Sequence, residues 1–241
     1  MSLQGKTVLI TGGAIRIGRA LCLAVAERGG DVIVHYGRSK EPAEKLQAEI
    51  QAMGRSAHLV QADLSHPRRA AQLVTRALNF GSLFAVVNNA SIFEPLTPVE
   101  TSFEDWEKHL AINLTAPFLI SQAFAASIRP GEHGRIVNIL DWRALRPGGD
   151  HFPYSVSKAA LAALTRSLAI ALAPDITVNG IAFGAILPPS DGGKTENLLT
   201  FVPARRWAEL REVEETLVFL LDGPRYITGE IIHLDGGRHL I

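Results

Sequence analysis

The sequence predicts a single α/β domain over residues 1–241, with a doubly wound parallel sheet and helices on both of its faces. Short apolar runs rich in β-branched residues alternate along the whole chain with longer segments of helical periodicity. Alternation of this kind is typical of parallel sheets, in which a helix connects one strand to the next. The length suits one such domain, and no internal repeat or low-complexity tract divides it.

The two patterns define about seven strands and six helices in chain order. The strands are expected near residues 7–10, 31–35, 57–60, 84–87, 135–139, 176–181 and 230–234. The helices are expected near residues 17–28, 41–53, 67–79, 103–128, 154–173 and 206–221. Because ligands of such sheets bind beyond the carboxyl ends of the strands, residues that follow a strand are the first candidates for a site.

Composition limits the classes of function. Lys plus Arg and Asp plus Glu both number 24, and the resulting zero net charge argues against a nucleic acid or an anionic membrane as partner. The start of the chain lacks an apolar signal core, and apolar stretches such as 161–173 are too short and too interrupted to span a bilayer. Cys22 is the single cysteine and the histidines are scattered, so we expect a cytoplasmic protein without a metal site.

A glycine turn follows the first predicted strand. Its spacing is Gly12-x-x-x-Arg16-x-Gly18, and a helical pattern begins at Ile17. A helix N-terminus presents free amides and a partial positive charge, so Gly12, Arg16, Ile17 and Gly18 are expected to hold a dinucleotide pyrophosphate. Arg16 replaces the middle glycine of the strict pattern. Its guanidinium either lies over the pyrophosphate or the substrate, or is simply an exposed group of the first helical turn.

The end of the second strand indicates which cofactor binds. Arg38 lies 20 residues beyond Gly18, and the segment between Val32 and Lys40 contains no Asp or Glu. A carboxylate there would accept hydrogen bonds from the ribose of NAD, whereas an arginine pairs with the 2′-phosphate of NADP. The sequence therefore predicts NADP, held at this phosphate by Arg38 and Ser39.

Tyr154 and Lys158 are four positions apart on a predicted helix and so share one face. An ammonium beside a phenol favours the phenolate, so Lys158 is expected to lower the pKa of Tyr154 from about 10 towards the working pH. A phenol tuned in this way can donate a proton while a hydride reaches the same substrate.

Together these motifs resemble the short-chain dehydrogenase/reductase family, whose fold is of Rossmann type, over the length of the chain. Further matching motifs are Asp63 in Ala62-Asp63-Leu64, Asn88-Asn89-Ala90, Asn113 in Ile112-Asn113-Leu114, Tyr226-Ile227-Thr228-Gly229 and Asp235-Gly236-Gly237. Within the family, the chain is most similar to pteridine reductases. The features that suggest it are Arg16, the segments 35–39 and 89–93, and Asp141 where the family usually has serine.

The resemblance implies roles for residues along the cofactor. Asp63 would accept from the adenine amino group, Asn89 and Ala90 would lie at the adenosine ribose, and the Ile186 backbone would lie near the nicotinamide carboxamide. Asn113 would help hold a water that links the lysine to solvent. From the sequence alone, Asp63 could equally be a turn or cap residue, and Asn113 a capping or buried hydrogen-bonded amide.

Asp141 bears on the choice of reaction. An ionised carboxylate has only acceptors and would repel the oxyanion of a reduced ketone, so ketone reduction requires Asp141 to be protonated. A C=N bond suits it better, because a protonated carboxyl, directly or through Tyr154, can deliver a proton to nitrogen. Ser91 and Phe93 would then hydrogen-bond to and stack on a flat heterocycle, with core packing as the alternative for Phe93.

The resemblance thus implies an NADPH-dependent reductase that acts on a C=N bond of a dihydropterin, with Tyr154, Lys158, Asp141 and Asn113 as catalytic residues. Two other functions remain open: a carbonyl reductase such as a 3-oxoacyl reductase, and a non-catalytic NADP sensor. The segment 184–205 lacks periodicity and is interpreted as a loop over the substrate. At its start the chain has Phe183-Gly184 where the family commonly has Pro-Gly, so we expect this loop to take a different path from that in other family members. Family members are usually homotetramers or homodimers.

Overall fold

A computed structural model describes residues 3–188 and 198–241. Its sheet has seven parallel strands in the order β3-β2-β1-β4-β5-β6-β7. The strands are β1 Thr7–Ile10, β2 Asp31–Tyr36, β3 Ala57–Gln61, β4 Ala85–Asn88, β5 Gly134–Asp141, β6 Ile176–Phe183 and β7 Ile231–Leu234. The predicted doubly wound fold is confirmed. The strand order reverses between β1 and β4, and this is the point at which such sheets bind their ligands.

The helices connect successive strands and cover both faces of the sheet. They are α1 Arg16–Glu27, α2 Lys40–Ala52, α3 Pro67–Ala77, α4 Phe103–Leu110, α5 Ala116–Ala125, α6 Phe152–Ala171 and α7 Leu210–Asp222. Successive strand residues point to opposite faces. Val8 and Ile10 therefore pack in the core beneath α1 and α7, whereas Leu9 packs in the core beneath α3 and α5.

The helix predicted over 103–128 is divided by a turn of π-helix at Ala111–Thr115. Such turns are rare and frequently mark functional sites, and this one carries the fully buried Asn113. The segment Phe103–Ser127 is long and apolar enough to cross a membrane by length and composition. Ile120 and Phe124 of this segment are fully buried and pack against the sheet and α3.

The last helix begins later than the pattern predicted. Glu209 and Glu212 form a reciprocal capping box that starts α7 at Leu210, not near residue 206. Upstream, a 3₁₀ turn covers Leu198–Phe201. Part of the loop predicted over 184–205 lies outside the described residues. Its role over the substrate stays a prediction.

Candidate active site

The carboxyl ends of β1 to β4 open into one cleft of about 640 Å³. Twelve of the predicted site residues line it: Gly12, Arg16, Ile17, Gly18, Arg38, Ser39, Asp63, Asn89, Ala90, Ser91, Phe93 and Tyr154. Asp141, Lys158 and Asn113 lie outside this lining and are joined to it through the contacts described below. The Ile186 side chain is buried in the core, so its predicted backbone contact with the cofactor stays a prediction.

The glycine turn is built for close backbone approach. Gly12 has φ +61°, and a Cβ at Gly18 would lie 2.0 Å from the Gly12 carbonyl oxygen, so neither position accepts a larger residue without strain. The Asn89 amide donates to that same oxygen at 3.1 Å and so fixes the turn against β4. The residue before α1 is Ile15, whose side chain cannot cap the helix, and its first amides remain for an anion. The turn therefore fits a pyrophosphate.

Arg16 is exposed and adopts φ +51°, which is uncommon for a residue with a side chain. Its guanidinium donates to the Pro188 carbonyl at 2.7 Å. Arg16 thus lines the cleft and, at the same time, contacts the segment that follows β6. Arg16 is therefore exposed in the first helical turn, as one alternative stated, and its contact with the pyrophosphate or the substrate stays a prediction.

His35 is a site residue that the sequence analysis did not single out. Its Nδ1 accepts from the Gly12 amide at 3.1 Å, and its Nε2 lies 3.1 Å from the Ala62 carbonyl, to which it donates in the matching tautomer. Burial lowers the pKa of His35 to about 4, so the ring is neutral at physiological pH. The imidazole thereby joins the ends of β1, β2 and β3 beneath the cleft.

At the far end of the cleft, Arg38 and Ser39 lie where a 2′-phosphate is expected, and Arg69 of α3 lines the same region. Asp63 also lines the cleft, but its Oδ1 accepts from the Ser65 amide at 3.0 Å and from the Ser65 hydroxyl at 2.7 Å. These hydrogen bonds lower the pKa of Asp63 and keep it ionised. Asp63 is therefore a turn residue that also faces the cleft.

Tyr154 and Asp141 form the centre of the site. The Tyr154 hydroxyl donates to Asp141 Oδ2 at 3.1 Å, and Asp141 Oδ1 accepts from the Arg143 amide at 2.9 Å. Burial raises the pKa of Asp141, although the Arg143 charge opposes this shift. The carboxyl therefore keeps a proton at higher pH than an exposed aspartate would.

The expectation that Lys158 lowers the pKa of Tyr154 is wrong for this structure. Burial, followed by the charge of Asp141, raises the pKa of Tyr154 well above its ordinary value. Lys158 Nζ lies 5.7 Å from the centre of the phenol ring and donates to the Ile139 carbonyl at 2.7 Å. Burial lowers the pKa of Lys158 itself to about 8. The phenol thus retains its proton, and its nearest acidic partner is the carboxyl.

Asn113 anchors the wall of the cleft. Its Oδ1 accepts from the Ile92 amide at 2.9 Å and the Ser91 hydroxyl at 3.2 Å, and its Nδ2 donates to the Ile92 carbonyl and the Ser157 hydroxyl, both at 3.0 Å. These contacts occupy the whole hydrogen-bonding capacity of the amide. The predicted water link to Lys158 stays a prediction, and the Asn113 side chain contributes positioning.

Phe93 is 47 % exposed and lines the cleft, so the core-packing alternative is wrong. One face of its ring stacks on His151 with centroids 3.9 Å apart and planes 11° from parallel. The ring meets Tyr154 edge-on at 4.6 Å. Phe93 therefore presents an aromatic surface directly beside the phenol.

The sequence analysis also did not assign Arg143, Asp150 or Arg238. The Arg143 side chain is only 12 % exposed, and its Nη2 pairs with Asp150 at 2.7 Å. Its Nε is buried without a hydrogen-bond partner in the described part of the chain. The Trp142 ring contacts two guanidinium groups, that of Arg143 at 4.8 Å and that of Arg238 at 4.2 Å. The basic residue types were visible in the sequence, but their convergence was not.

Comparison with known families agrees with this geometry. The family model described as short chain dehydrogenase matches residues 6–198. The chain belongs to the short-chain dehydrogenase/reductase family. This confirms the resemblance inferred from the sequence motifs and makes the protein an oxidoreductase.

Several solved members of the family share the whole fold. FolM alternative dihydrofolate reductase 1 from Brucella canis, solved in complex with NADP, is 36 % identical with a TM-score of 0.92, and the match covers 100 % of this chain and 97 % of that one. A short chain dehydrogenase from Burkholderia cenocepacia in complex with NADP is 35 % identical, also with a TM-score of 0.92, over 99 % of both chains. Among curated relatives, a 3-oxoacyl-[acyl-carrier-protein] reductase from Synechocystis is 33 % identical over 98 % of both chains.

Proposed function

We propose that this protein is an NADPH-dependent reductase that acts on a C=N bond of a dihydropterin. Membership of the short-chain dehydrogenase/reductase family gives the class of reaction. The arginine at the end of β2 and the NADP complexes among the structural relatives support the cofactor. The pairing of Asp141 with Tyr154 supports reduction of a C=N bond.

Different residues of the cleft would bind different parts of the cofactor. The glycine turn and the start of α1 would hold the pyrophosphate, and Arg38 and Ser39 would hold the 2′-phosphate. Asp63 would accept from the adenine, and Asn89 and Ala90 would border its ribose. Lys158 would donate to the hydroxyls of the nicotinamide ribose.

NADPH, when bound, would provide the hydride for the carbon of the C=N bond, so the residues of this chain must supply one proton to the nitrogen. The protonated Tyr154 hydroxyl would donate it, and a neighbouring Asp141 that is itself protonated would make this transfer easier, because it removes the negative charge that raises the pKa of Tyr154. Asp141 can then return a proton to the phenolate oxygen through the same 3.1 Å contact. The two side chains thus act as one acid, and the net change at the substrate is one hydride and one proton.

The observation that carries the proposal is the buried carboxyl of Asp141 in contact with the phenol. A serine at this position would offer only a hydroxyl, whereas the carboxyl can deliver a proton or accept from the amino and NH groups of a pterin ring. Burial raises the pKa of Asp141 and favours the protonated form that the reaction needs. The exposed Phe93 surface and the Ser91 hydroxyl would bind the flat ring and its edge.

A 3-oxoacyl reductase is the second candidate, and the names of curated relatives such as the Synechocystis protein favour it. A protonated Asp141 could also donate to an alkoxide, so the raised pKa alone does not separate the two reactions. A non-catalytic NADP sensor is disfavoured, because binding the cofactor requires no acid pair beside the nicotinamide.

The purified protein should be assayed with NADPH against dihydrobiopterin, dihydrofolate, quinonoid dihydropterin and acetoacetyl thioesters. We expect turnover of at least one pterin with a higher kcat/KM than any thioester. The Asp141→Ser variant is expected to lose pterin turnover and to gain relative activity towards ketones. A wild-type preference for thioesters would establish the second candidate, and an unchanged substrate profile in Asp141→Ser would remove the argument from the carboxyl. Enhanced fluorescence of bound NADPH without turnover of any substrate would establish the sensor.

A further inference from the structure

We propose that Arg238, supported by Arg143, binds an anionic substituent of the substrate at the side of the Trp142 ring. The ligand would be a heterocycle that carries a carboxylate or a phosphate. This inference rests on the proposed function, because it extends the pterin site beyond the ring that is reduced. Neither the motifs of the family nor the cleft that holds the cofactor includes this cluster.

The turn that carries Arg238 is firmly built. Asp235 is 4 % exposed, and its carboxylate accepts from the Gly237 amide at 2.9 Å, from the His239 amide at 2.8 Å and from the His239 ring at 2.8 Å. Gly236 and Gly237 adopt φ +62° and +85°, which suits residues without a side chain. The turn therefore fixes the direction in which Arg238 leaves the backbone.

Packing from another segment holds the same turn in place. The Ala204 amide donates to the Gly236 carbonyl at 3.0 Å. A Cβ at Gly237 would lie 3.1 Å from the ring of Pro203. With the backbone held on both sides, the Arg238 guanidinium reaches the Trp142 ring at 4.2 Å. Trp142 follows Asp141 directly in the chain, and the charge of Asp141 acts on Arg238, which places Arg238 in the neighbourhood of the acid pair.

The charges of the two arginines are balanced differently. Although burial favours the neutral form of Asp150, the hydrogen bond and charge of Arg143 hold the pKa of that carboxyl at about 2, so Asp150 neutralises Arg143. Arg238 forms no ion pair or side-chain hydrogen bond with any residue in 3–188 or 198–241. Burial, and then the charge of Arg143, lower the pKa of Arg238, whereas the charges of Asp141, Asp150 and Asp235 raise it. None of these carboxylates pairs directly with Arg238 in the described residues, so its N–H groups are available to form paired hydrogen bonds with an anion.

The position of the cluster defines the class of ligand. Arg143 lies 5.6 Å from the centre of the Phe93 ring, whose exposed surface we assign to the heterocycle. An anion at Trp142 would therefore belong to a substituent that extends from the ring past Phe93 and Asp141. Guanidinium groups bind carboxylates and phosphates through the same paired hydrogen bonds, so either anion satisfies the geometry.

The test compares ligands that differ in their substituents. Dihydrofolate carries carboxylates, a dihydropterin phosphate monoester carries a phosphate, and dihydrobiopterin has a neutral side chain. Binding of each to the NADP⁺-loaded full chain is measured by calorimetry, alongside steady-state KM. We expect the anionic ligands to lose affinity in Arg238→Gln by about tenfold or more relative to dihydrobiopterin, the effect of one lost charge-assisted hydrogen bond. Arg238→Lys should recover part of this preference.

Arg129→Gln is the matched control, because Arg129 is exposed and precedes β5 at the opposite end of the sheet. Equal losses for charged and neutral ligands in Arg238→Gln, or no loss for either, would overturn the anion site. A loss confined to dihydrofolate or to the phosphate ester would identify which anion is bound. If the wild type binds the anionic ligands through Arg238 and reduces none, the proposed function fails and the anion site stands. If the wild type binds none of the three ligands, both proposals fail.

Discussion

The Tyr154 hydroxyl donates to Asp141 Oδ2 over 3.1 Å, and burial raises the pKa of both groups. A tyrosine beside a serine would have only a neutral partner, whereas here the phenol proton is directed at a carboxyl. Under the proposed function the acid of this site is a coupled pair, and Lys158 would contribute through the cofactor ribose and the local charge. This arrangement leads to the first two predictions.

Replacing Tyr154 with phenylalanine should lower kcat by at least about a hundredfold, because the proposed proton donor is lost. NADPH should still bind nearly as well, since the glycine turn and Arg38 are unaffected. Stopped-flow turnover and the fluorescence of bound NADPH measure the two quantities separately. Retained turnover in Tyr154→Phe would show that another group donates the proton.

The pH dependence of kcat/KM should report Asp141. Its pKa is raised in the folded protein, so the protonated carboxyl persists to higher pH than in an exposed aspartate and is lost as the pH rises further. Activity should fall through that range, and Asp141→Asn should lack this decline. A separate rise in the KM for NADPH near pH 8, where the Lys158 ammonium loses its proton, should remain in the variant. Identical pH profiles for both proteins would contradict the role of Asp141.

Replacing Arg38 with alanine should raise the KM for NADPH about tenfold to a hundredfold, because a charge-assisted hydrogen bond to the 2′-phosphate is lost. The KM for NADH should change little, since that cofactor lacks the phosphate. Steady-state kinetics with both cofactors check this, and Arg68→Ala, an exposed arginine of α3, serves as the control. A wild-type preference for NADH would overturn the NADP assignment.

His35 should make the protein sensitive to mild acid. Its pKa is about 4 in the folded state against 6.5 when exposed, so the unfolded chain binds a proton first as the pH falls. The contribution of His35 to the free energy of unfolding is fully present above about pH 6.5. It is lost as the pH falls towards 4, a decrease of about 3 kcal/mol. Urea unfolding at pH 7 and pH 4.5 measures the difference. His35→Gln should show a smaller difference; the same pH dependence in the variant would assign the effect to other groups.

Local patterns predicted a large part of this site. The Gly12-to-Gly18 turn, Arg38 after β2 and the spacing of Tyr154 and Lys158 are short-range features, since backbone approach and helix periodicity depend on neighbouring residues. Alternating apolar and helical segments likewise predicted the seven strands. The sequence did not predict that a π turn divides 103–128. The turn carries Asn113, which contacts segments far away in the chain, and such contacts leave no local pattern.

The sequence alone determined the fold, the family and most of the residues that line the cleft, because these depend on periodicity and on the types of neighbouring residues. Tertiary structure decided which of those residues meet and how they ionise. It brought His35 beneath Gly12, exposed Phe93 beside Tyr154 and placed Arg238 on Trp142. Burial sets the pKa of a phenol or a carboxyl by removing water, and how much water remains around a group depends on segments far away in the sequence.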